Sequence, residues 1–422
     1  MCNTIYGVFI VMIRYAIIPL GGLGTRLYPL TVETSKAMIR FLNRPLIEFI
    51  IYKLASQGVR EIYLGVSGYV NYRTVYDYLG EGYRVAGKYN MPQSFRVRYQ
   101  PLEESVGNAD SVRIVLEYYD IRSPVLVVQG DTVFDLELVD LWRYHVDRES
   151  FMTIALKEIE KVEDLKEFGV AMIEDDGRIR GFVEKPQKPE EIPSKLVNTG
   201  IYLLSEEFRS FISSPRIMDM RSKGLMDFGR DIIPLLIASG ARVYGYSKVS
   251  YWFDIGNPKR YLEAVYFLLK VLSLEELEVT EVWNGVRFQG KSSRSKSLHR
   301  EIIRKAEEKR IKLEGDILIG RHVSIGDWVA VRDAVIDNYT IISDGAVIEG
   351  SVIMDRSYIG RGSHIINSII GRHVKIGSNV FIEGSVIGDD VKIGDNSRII
   401  KSKIWPHREL DPMISMENIS FK

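Results

Sequence analysis

The sequence of 422 residues has little cysteine and no excess of charge. Its single cysteine, Cys2, excludes an intramolecular disulfide and a zinc site built from several cysteines, and it fits a cytoplasmic protein. The 56 Lys and Arg residues balance 56 Asp and Glu residues, which argues against a general nucleic-acid-binding surface. We therefore expect a cytoplasmic location and no nucleic acid among its partners.

Long hydrophobic runs are also missing. The most apolar stretch is MCNTIYGVFIVMI at residues 1–13, and Arg14 interrupts it. A membrane helix needs about 20 apolar residues, and neither a basic segment before this run nor a small-residue cleavage site after it is present. We expect no membrane partner and interpret residues 1–11 as a short extension.

The glycine-rich stretch PLGGLGTRLYPLT, residues 19–31, lacks two common phosphate-binding motifs. The G-x-G-x-x-G pattern would need glycine at Leu27, and the Walker A pattern has no match. What is present is a glycine turn after the strand-like run YAIIPL, with the cations Arg26 and Lys36 beyond it. Its backbone N–H groups could line a phosphate chain. A structural strand-to-helix turn explains the stretch equally well by itself.

Apolar strand-like runs alternate with helical patterns from residue 14 to about residue 272. The run VLVVQGD, residues 125–131, is typical of a central parallel strand buried on both faces. We predict an α/β domain over residues 1–275, with ligands at the carboxyl ends of its strands. Residues 276–313 are rich in Lys, Arg and Ser, and we predict a charged, solvated linker with one short helix around REIIRKAEEKR.

The C-terminal part is a repeat of Ile and Val. The spacings 6, 6 and 5 give a 17-residue period, which predicts a three-sided coil of short strands with one inward residue per side. The pattern resembles the left-handed parallel β-helix of hexapeptide-repeat proteins. We predict this β-helix over residues 314–406, ended by Pro406, and a tail at 407–422. The sixteen inward positions are Ile319, Ile325, Val331, Ile336, Ile342, Ile348, Ile353, Ile359, Ile365, Ile370, Ile376, Ile382, Ile387, Ile393, Ile399 and Ile404.

Charged residues follow three strand-like runs of the first domain. Asp131 ends VLVVQGD, Asp254 stands in YWFDIGNP, and Lys185 stands in FVEKP. Two carboxylates at strand ends of one sheet could converge on a hard cation such as Mg²⁺. Each one, taken singly, is more often a turn or helix-capping residue.

Taken in order, these segments resemble the sugar-1-phosphate nucleotidyltransferases. That family has L-A-G-G-x-G-T-R-L-x-P-L-T, P-K-P, G-T-A-G, G-D, E-K-P, N-x-G and D-[IV]-G, where this sequence has PLGGLGTRLYPLT, SKA, GNAD, GD, EKP, NTG and DIG. With the β-helix, the sequence is most similar to mannose-1-phosphate guanylyltransferases. The resemblance implies a Rossmann-like mixed sheet, Mg²⁺ as cofactor, and an NTP and a sugar 1-phosphate as substrates.

The implied reaction is attack by a sugar-1-phosphate oxygen on the α-phosphorus of an NTP, with pyrophosphate leaving. The attacking phosphate has a second pKa of about 6 and needs no general base. The resemblance implies catalytic roles for Arg26, Lys36 and Lys185, and Mg²⁺ binding by Asp131 and Asp254. The implied nucleotide-binding residues are Leu20, Gly21, Gly22, Gly24, Thr25, Glu104, Gly107 and Asp131. The implied sugar-binding residues are Gly169, Glu184, Asn198, Thr199 and Gly200.

The sequence departs from the family pattern at several positions. Leu20 replaces a small residue, and Arg40 stands where proline is common. Asn108 and Asp110 replace the Thr and second Gly of the segment near the base. We expect GDP-mannose from GTP and mannose 1-phosphate, while UDP-glucose or dTDP-glucose formation and a non-catalytic regulatory homologue that binds nucleotide sugars stay open.

The β-helix has two further candidate roles. Its flat faces and open end predict a homo-oligomer that assembles through this domain. Acyl transfer by a histidine on a coil face is the alternative, with His364 and His373 as candidates. Both occupy outward positions of the repeat, where an ordinary surface histidine is the more common case.

Overall fold

The structure, a computed structural model, describes residues 13–22, 24–66, 68–101 and 103–422. The extension predicted at residues 1–11 lies outside the described residues. Contacts divide the chain into two compact units. The first comprises Met1–Gly22, Ser35–Met38 and Leu46–Asp254, and the second comprises Leu23–Thr34, Ile39–Pro45 and Ile255–Lys422.

The elements follow in chain order. Strands β1 to β15 are Tyr15–Pro19, Arg40–Phe41, Arg44–Pro45, Glu61–Gly65, Arg96–Tyr99, Val125–Val128, Thr132–Asp135, Met152–Glu158, Gly169–Ile173, Ile179–Glu184, Leu196–Leu204, Val243–Tyr246, Tyr251–Asp254, Val279–Trp283 and Val286–Gln289. Helices α1 to α11 are Leu46–Ser56, Tyr69–Leu79, Tyr83–Lys88, Asn108–Tyr118, Leu138–Asp147, Val162–Leu165, Phe208–Ile212, Pro215–Ser222, Ile233–Ala238, Pro258–Val271 and Ser293–Glu307. Strands β16 to β33 are Lys312–Ile319, Ser324–Ile325, Ala330–Ile336, Ile341–Ile342, Val347–Glu349, Val352–Ile353, Tyr358–Ile359, His364–Ile366, Ile369–Ile370, Lys375–Ile376, Phe381–Glu383, Val386–Ile387, Lys392–Ile393, Arg398–Ile400, Lys403–Ile404, Glu409–Leu410, Ser415–Glu417 and Ser420–Phe421.

The first unit is built on a nine-stranded mixed sheet. Its main order is β10-β9-β11-β6-β1-β4-β5, with β8 beside β11 and β12 beside β8. Strands β4 and β6 flank β1 in parallel, whereas β11 runs antiparallel to β6. All four residues of β6 are buried, as the continuous apolar run predicted. The α/β mixed sheet is thus confirmed, and β1 and β6 end at one edge of it.

A separate two-stranded sheet completes this edge of the first unit. Strand β13 pairs antiparallel with β7, which follows β6 after a short turn. The pairing brings the end of β13, at Asp254, beside the start of β7, at Thr132.

The second unit contains the repeat as an all-parallel coil. Strands stack in register along three faces, one of which is the six-stranded sheet β17-β19-β22-β25-β28-β31. All sixteen predicted inward residues are at most 4% exposed and form one hydrophobic cluster. The strands curl round one axis, which is consistent with the predicted left-handed β-helix.

Each coil turns at three corners, where one residue takes the left-handed conformation. The three columns of corner residues start at His322, Trp328 and Asp333 and recur every 17 residues. Several corners are not glycine, and the backbone there is stabilised by side chains of the next coil. The N–H of Arg372, for example, donates to Asp389 Oδ1 at 2.8 Å.

The coil continues past Pro406, which corrects the prediction that this residue ends it. Leu410 is buried, and β31, β32 and β33 pair with the preceding coil. Pro406 sits at a corner, between Trp405 and His407, which donate to the carbonyls of Phe421 and Asp389. At the equivalent corner position, the Arg372 N–H bonds a side chain rather than the backbone ladder. Proline is tolerated there because the ladder needs no donor.

The segment predicted as a solvated linker is folded. Strands β14 and β15 form a hairpin, β15 pairs in parallel with β16, and α11 follows. Phe288 and Ile302 are buried in the hydrophobic cluster of the coil, and Lys305 Nζ donates to the carbonyl of Ile325 at 2.7 Å. The many charged residues of this segment made its apolar residues hard to recognise in the sequence. These apolar residues cover the first coil.

Two further observations concern the outer surface. His364 is exposed, and His373 Nδ1 lies 3.3 Å from Asp390 Oδ1 at a corner, so both histidines point outward as expected. In the described part of the chain, no helix is both long and apolar enough to cross a lipid bilayer.

Candidate active site

Two loops leave the edge of the first unit's sheet side by side. In the parallel pair of β1 and β6, Ile17 lies beside Val127, and the loops that follow carry Leu20 and Gly130. A Cβ on Gly130 would stand 2.0 Å from Leu20 Cδ2, so any other residue here would force the Leu20 side chain to shift. The unusual Leu20 is buried and fills the space beside this glycine.

A pocket of about 310 Å³ opens at this edge. Its volume lies at the lower end of the range for small-molecule sites. The walls come from the loops after β1 and β6, the 3₁₀ turn Lys36–Met38 and the start of α4. The lining residues are Pro19, Leu20, Gly21, Gly22, Ser35, Lys36, Ala37, Ser105, Gly107, Asn108, Ser111, Gln129, Gly130 and Asp131.

Lys36 joins two carboxylates at this pocket. The pairing of β13 with β7 sets Asp254 opposite Thr132 and therefore next to Asp131. The Lys36 ammonium donates to the Asp131 carboxylate and stands 3.4 Å from Asp254 Oδ1. The structure thus brings together three of the residues that the sequence singled out.

The charge state of Lys36 follows from these contacts. Burial acts to lower its pKa, but Asp131 and Asp254 outweigh burial and raise the pKa above its ordinary value. The side chain is only 12% exposed. Lys36 therefore keeps its positive charge at neutral pH.

The pair Asp131 and Asp254 has the chemistry of a site for a hard divalent cation. Both offer carboxylate oxygens, and both already converge on one positive charge, the Lys36 ammonium. Among the described residues, no cluster of three or more His, Cys, Asp or Glu could hold a metal. Proteins usually bind Mg²⁺ through one or two carboxylates, with phosphate oxygens and water as the remaining ligands. Asp131 and Asp254 could supply the two carboxylates.

A second acidic group, Glu184, lies in the same unit. Gly169 of β9 pairs with Glu184 of β10. A Cβ on Gly169 would stand 2.6 Å from Glu184 Oε2, and one on Gly229 would stand 2.4 Å from it. Burial raises the pKa of this carboxyl group, although Lys185 opposes the shift. The carboxylate therefore lies between two bare backbone segments, where a small polar ligand could approach it.

Lys185 projects from the end of β10. Its backbone takes the left-handed conformation, with φ 49°, and its N–H donates to the carbonyl of Phe168 at 3.0 Å. The side chain is 58% exposed, and Nζ stands 3.8 Å from Glu184 Oε1. This strained backbone at an exposed cation is a feature often found at functional sites.

The NTG segment lies on β11, where Asn198 is half-buried and Thr199 and Gly200 are buried. Asn198 Nδ2 donates to the Tyr202 hydroxyl at 2.9 Å, and Asn198 Oδ1 accepts from the Gly200 N–H at 3.0 Å. Thr199 differs from its predicted sugar-binding role, because it is buried and its hydroxyl donates to the carbonyl of Ala155 at 2.7 Å. Alternation along the strand turns its side chain to the opposite face from that of Asn198.

Two predicted nucleotide-binding residues, Gly24 and Thr25, belong to the second unit by their contacts, as does the predicted catalytic residue Arg26. Gly24 takes the left-handed conformation before the 3₁₀ turn Thr25–Leu27, which carries Arg26. The Thr31 hydroxyl donates to the Gly24 carbonyl at 2.7 Å and closes this loop. The roles of these residues stay predictions.

The segment Glu103–Gly107 borders the pocket of the first unit. Ser105 and Gly107 line the pocket, whereas the side chain of Glu104 is exposed. A Cβ on Gly107 would stand 2.3 Å from the backbone carbonyl oxygen of Met226, so this position requires glycine.

Other lining residues carried weak sequence signals. Gln129 lies between the buried run of β6 and Gly130, and its position at a strand end could have marked it. Ser111 looks like an ordinary helix residue in the sequence, yet it lines the pocket, and its hydroxyl donates to Gln100 Oε1 at 2.7 Å. Only the tertiary structure brings Ser111 to the pocket.

Comparison with known proteins assigns both parts of the chain. The family model described as "Nucleotidyl transferase" matches residues 15–271, and the model described as "GMPPB C-terminal domain" matches residues 313–420. The first match spans more than half of the chain. The chain therefore belongs to the nucleotidyl transferase family.

Three relatives illustrate the similarity. A glucose-1-phosphate adenylyltransferase of Nitrosomonas europaea is 32% identical over 271 residues, which is 59% of this chain and 61% of the relative. A UTP–glucose-1-phosphate uridylyltransferase of Synechocystis is 27% identical over 322 residues, 75% of this chain and 76% of the relative. A putative mannose-1-phosphate guanyltransferase of Sulfolobus acidocaldarius is 30% identical over 248 residues, 58% of this chain and 61% of the relative. The chain thus spans less than two thirds of the length of the first and third of these relatives.

Proposed function

We propose that this protein transfers a nucleotidyl group from an NTP to a sugar 1-phosphate, giving an NDP-sugar and pyrophosphate. The observation that carries the proposal is the meeting of Lys36, Asp131 and Asp254, of which Lys36 and Asp131 line the glycine-rich pocket. The reaction joins two anions, so its main requirement is positive charge at a fixed place. A lysine that stays protonated at neutral pH and a pair of carboxylates able to hold a divalent cation meet this requirement.

The chain's own residues divide the work of binding and orientation. Backbone at Gly21 and Gly22 lies along the pocket wall and would bind the phosphate chain of the NTP. Lys36 would donate to phosphate oxygens, and the catalytic role of Arg26 stays a prediction from the sequence. A sugar-phosphate oxygen attacks the α-phosphorus, the bond to the β-phosphate oxygen breaks, and pyrophosphate leaves with the electron pair.

The sugar 1-phosphate would be held by the second group of polar residues. Lys185 would bind its phosphate, and Glu184 would accept hydrogen bonds from sugar hydroxyls beside Gly169. Asn198 and Gly200 would complete this subsite. Asp131 and Asp254 would hold Mg²⁺, which when bound neutralises charge on the reacting phosphates.

GTP and mannose 1-phosphate are the proposed substrates. Support comes from the C-terminal match, residues 313–420, and from relatives such as the mannose-1-phosphate guanylyltransferase catalytic subunit beta of Dictyostelium discoideum, 28% identical over 274 residues. UDP-glucose or dTDP-glucose formation is the alternative, because other relatives are named for glucose 1-phosphate.

A pyrophosphate-release panel tests the proposal. ATP, GTP, CTP, UTP and dTTP are each combined with mannose, glucose and N-acetylglucosamine 1-phosphate in the presence of Mg²⁺. We expect release to be fastest with GTP and mannose 1-phosphate. Fastest release with UTP or dTTP and glucose 1-phosphate would reassign the substrates. Tight binding of a nucleotide sugar without release from any pair would instead indicate a non-catalytic regulatory protein.

A further inference from the structure

A cluster of charged side chains lies behind one wall of the pocket. Asp110, in the first turn of α4, is fully buried. Its Oδ2 accepts the backbone N–H of Val106 at 3.0 Å, and its Oδ1 accepts Nε of Arg113 at 2.8 Å. The carboxylate therefore bonds directly to the backbone of the segment Glu103–Gly107.

Arg221, at the end of α8, holds the same segment from a second direction. Its Nε lies 3.0 and 3.1 Å from the two carboxylate oxygens of Asp110. Its Nη2 donates to Glu103 Oε1 at 3.2 Å and to the carbonyl of Glu104 at 3.4 Å. Arg221 thus links α8, α4 and the segment in one network.

The network leaves the pocket side of the segment free to contact a ligand. Ser105 and Gly107 line the pocket, and neither carries a charge. The charged lining residues are Lys36 and Asp131, which suit the phosphates. An uncharged wall that offers a hydroxyl and backbone groups suits a nucleotide base, which is recognised by hydrogen bonds to its edge.

We propose that Asp110 and Arg221 are positioning residues that hold the segment Glu103–Gly107 in the shape that selects the nucleotide base. The proposal rests on the proposed function for the identity of the ligand. A buried carboxylate with two guanidinium partners is strongly bonded, and removal of one partner leaves the remaining charge poorly compensated. Loss of Arg221 removes its contacts with Asp110, Glu103 and the Glu104 carbonyl and so loosens the segment, without removing any group that lines the pocket.

Arg221→Ala is the test variant, and Arg216→Ala is its control. Arg216 lies on the same helix and is exposed. Amide hydrogen exchange of Val106 measures how firmly the network holds the segment, and it does not depend on activity. Equilibrium binding of GTP, ATP and UTP, together with KM and kcat for each, reports selectivity. Arg221→Lys keeps the positive charge, but lysine cannot bond Asp110 and Glu103 through two separate nitrogens as the guanidinium does.

In Arg221→Ala we expect exchange at Val106 to rise by about tenfold or more, because the charge-assisted hydrogen bonds that Arg221 donates to Asp110 and Glu103 are lost. We expect KM for the preferred NTP to rise by a similar factor with kcat within about threefold, and the preference among the three NTPs to shrink. Arg221→Lys should fall between Arg221→Ala and the wild type, and Arg216→Ala should match the wild type.

Two results would overturn the proposal. One is wild-type exchange at Val106 in folded Arg221→Ala. The other is faster exchange with an unchanged ratio of GTP, ATP and UTP binding. Absence of pyrophosphate release by the wild-type protein would refute the proposed function alone, since exchange and nucleotide binding decide the positioning role separately.

Discussion

At the residue scale, the pocket combines opposite charges within a few ångströms. Lys36 contacts Asp131 and stands 3.4 Å from Asp254. The carboxylates keep the lysine protonated, and the lysine offsets the repulsion between the two carboxylates. The three residues thereby stabilise one another before any anionic substrate arrives.

Asp131→Asn tests the role of this carboxylate. The substitution keeps the shape but removes a negative charge that would hold Mg²⁺. We expect Mg²⁺-dependent pyrophosphate release to fall by about 10²–10³, by analogy with the loss of one preorganised electrostatic group. Asp135→Asn is the matched control, because Asp135 lies at the far end of β7 and pairs with Lys53. Unchanged turnover in Asp131→Asn would contradict the metal assignment.

His145 makes the stability of the first unit depend on pH. Burial lowers the pKa of this imidazole from 6.5 to about 4, although the charge of Glu207 opposes the shift. Its Nδ1 lies 2.8 Å from Thr153 Oγ1. The folded state binds this proton less readily than the unfolded state. His145 therefore does not lower the free energy of unfolding above about pH 6.5, and it lowers it increasingly as the pH drops toward 4.

The expected loss from His145 is at most about 3 kcal/mol at pH 4. Urea unfolding at several pH values measures it. His145→Asn, which cannot titrate, should show a shallower fall between pH 6.5 and 4 than the wild type. His364→Asn, at an exposed position on β23, serves as the control and should keep the wild-type slope. Equal slopes in all three proteins would rule out the assignment.

At the scale of single elements, the coil shows how much a strict period can predict. Every inward Ile and Val followed from the 17-residue spacing, and each one is buried. The period did not show how the two ends of the coil are covered. The first coil is covered by α11, whose apolar residues are scattered among lysines and arginines, and the last coil uses Leu410, Met416 and Phe421 instead of Ile or Val.

Two isoleucines, one at an inward and one at an outward position of the coil, test the inward assignment. Ile365 is fully buried in the coil, whereas Ile341 is 48% exposed on an outer face. We expect Ile365→Ala to lower the free energy of unfolding by about 2–5 kcal/mol, because it leaves a cavity in a packed core. Ile341→Ala should change it by no more than about 0.5 kcal/mol. The midpoint of the coil's urea transition measures both, and equal shifts would contradict the inward assignment.

At the scale of the whole molecule, we predict a homo-oligomer joined through the β-helix. Ile341 and Tyr358 are neighbours at one outward position of successive coils, and they are 48% and 43% exposed. Adjacent apolar side chains of this kind often mark a contact surface. Light scattering at micromolar concentration should give a mass above 48.3 kDa.

Substitution of a residue on that surface tests whether the oligomer forms through it. Tyr358→Asp should raise the fraction of monomer, because it places a charge in the apolar contact. Glu383→Lys, on a different face of the coil, should leave the mass unchanged. A monomeric wild-type protein would contradict the prediction.

The sequence by itself determined the α/β class of the first domain, the coil and its inward residues, because apolar periodicity depends only on the local geometry of strands. It also identified Lys36, Asp131 and Asp254 as chemical candidates. Only the tertiary structure decided which candidates meet, because β13 and β7 pair across more than a hundred residues of chain. The same holds for Thr199, which a strand turned into the core, and for Asp110, whose partner Arg221 comes from a distant helix. Contacts between distant residues depend on how whole elements pack, which no local spacing records.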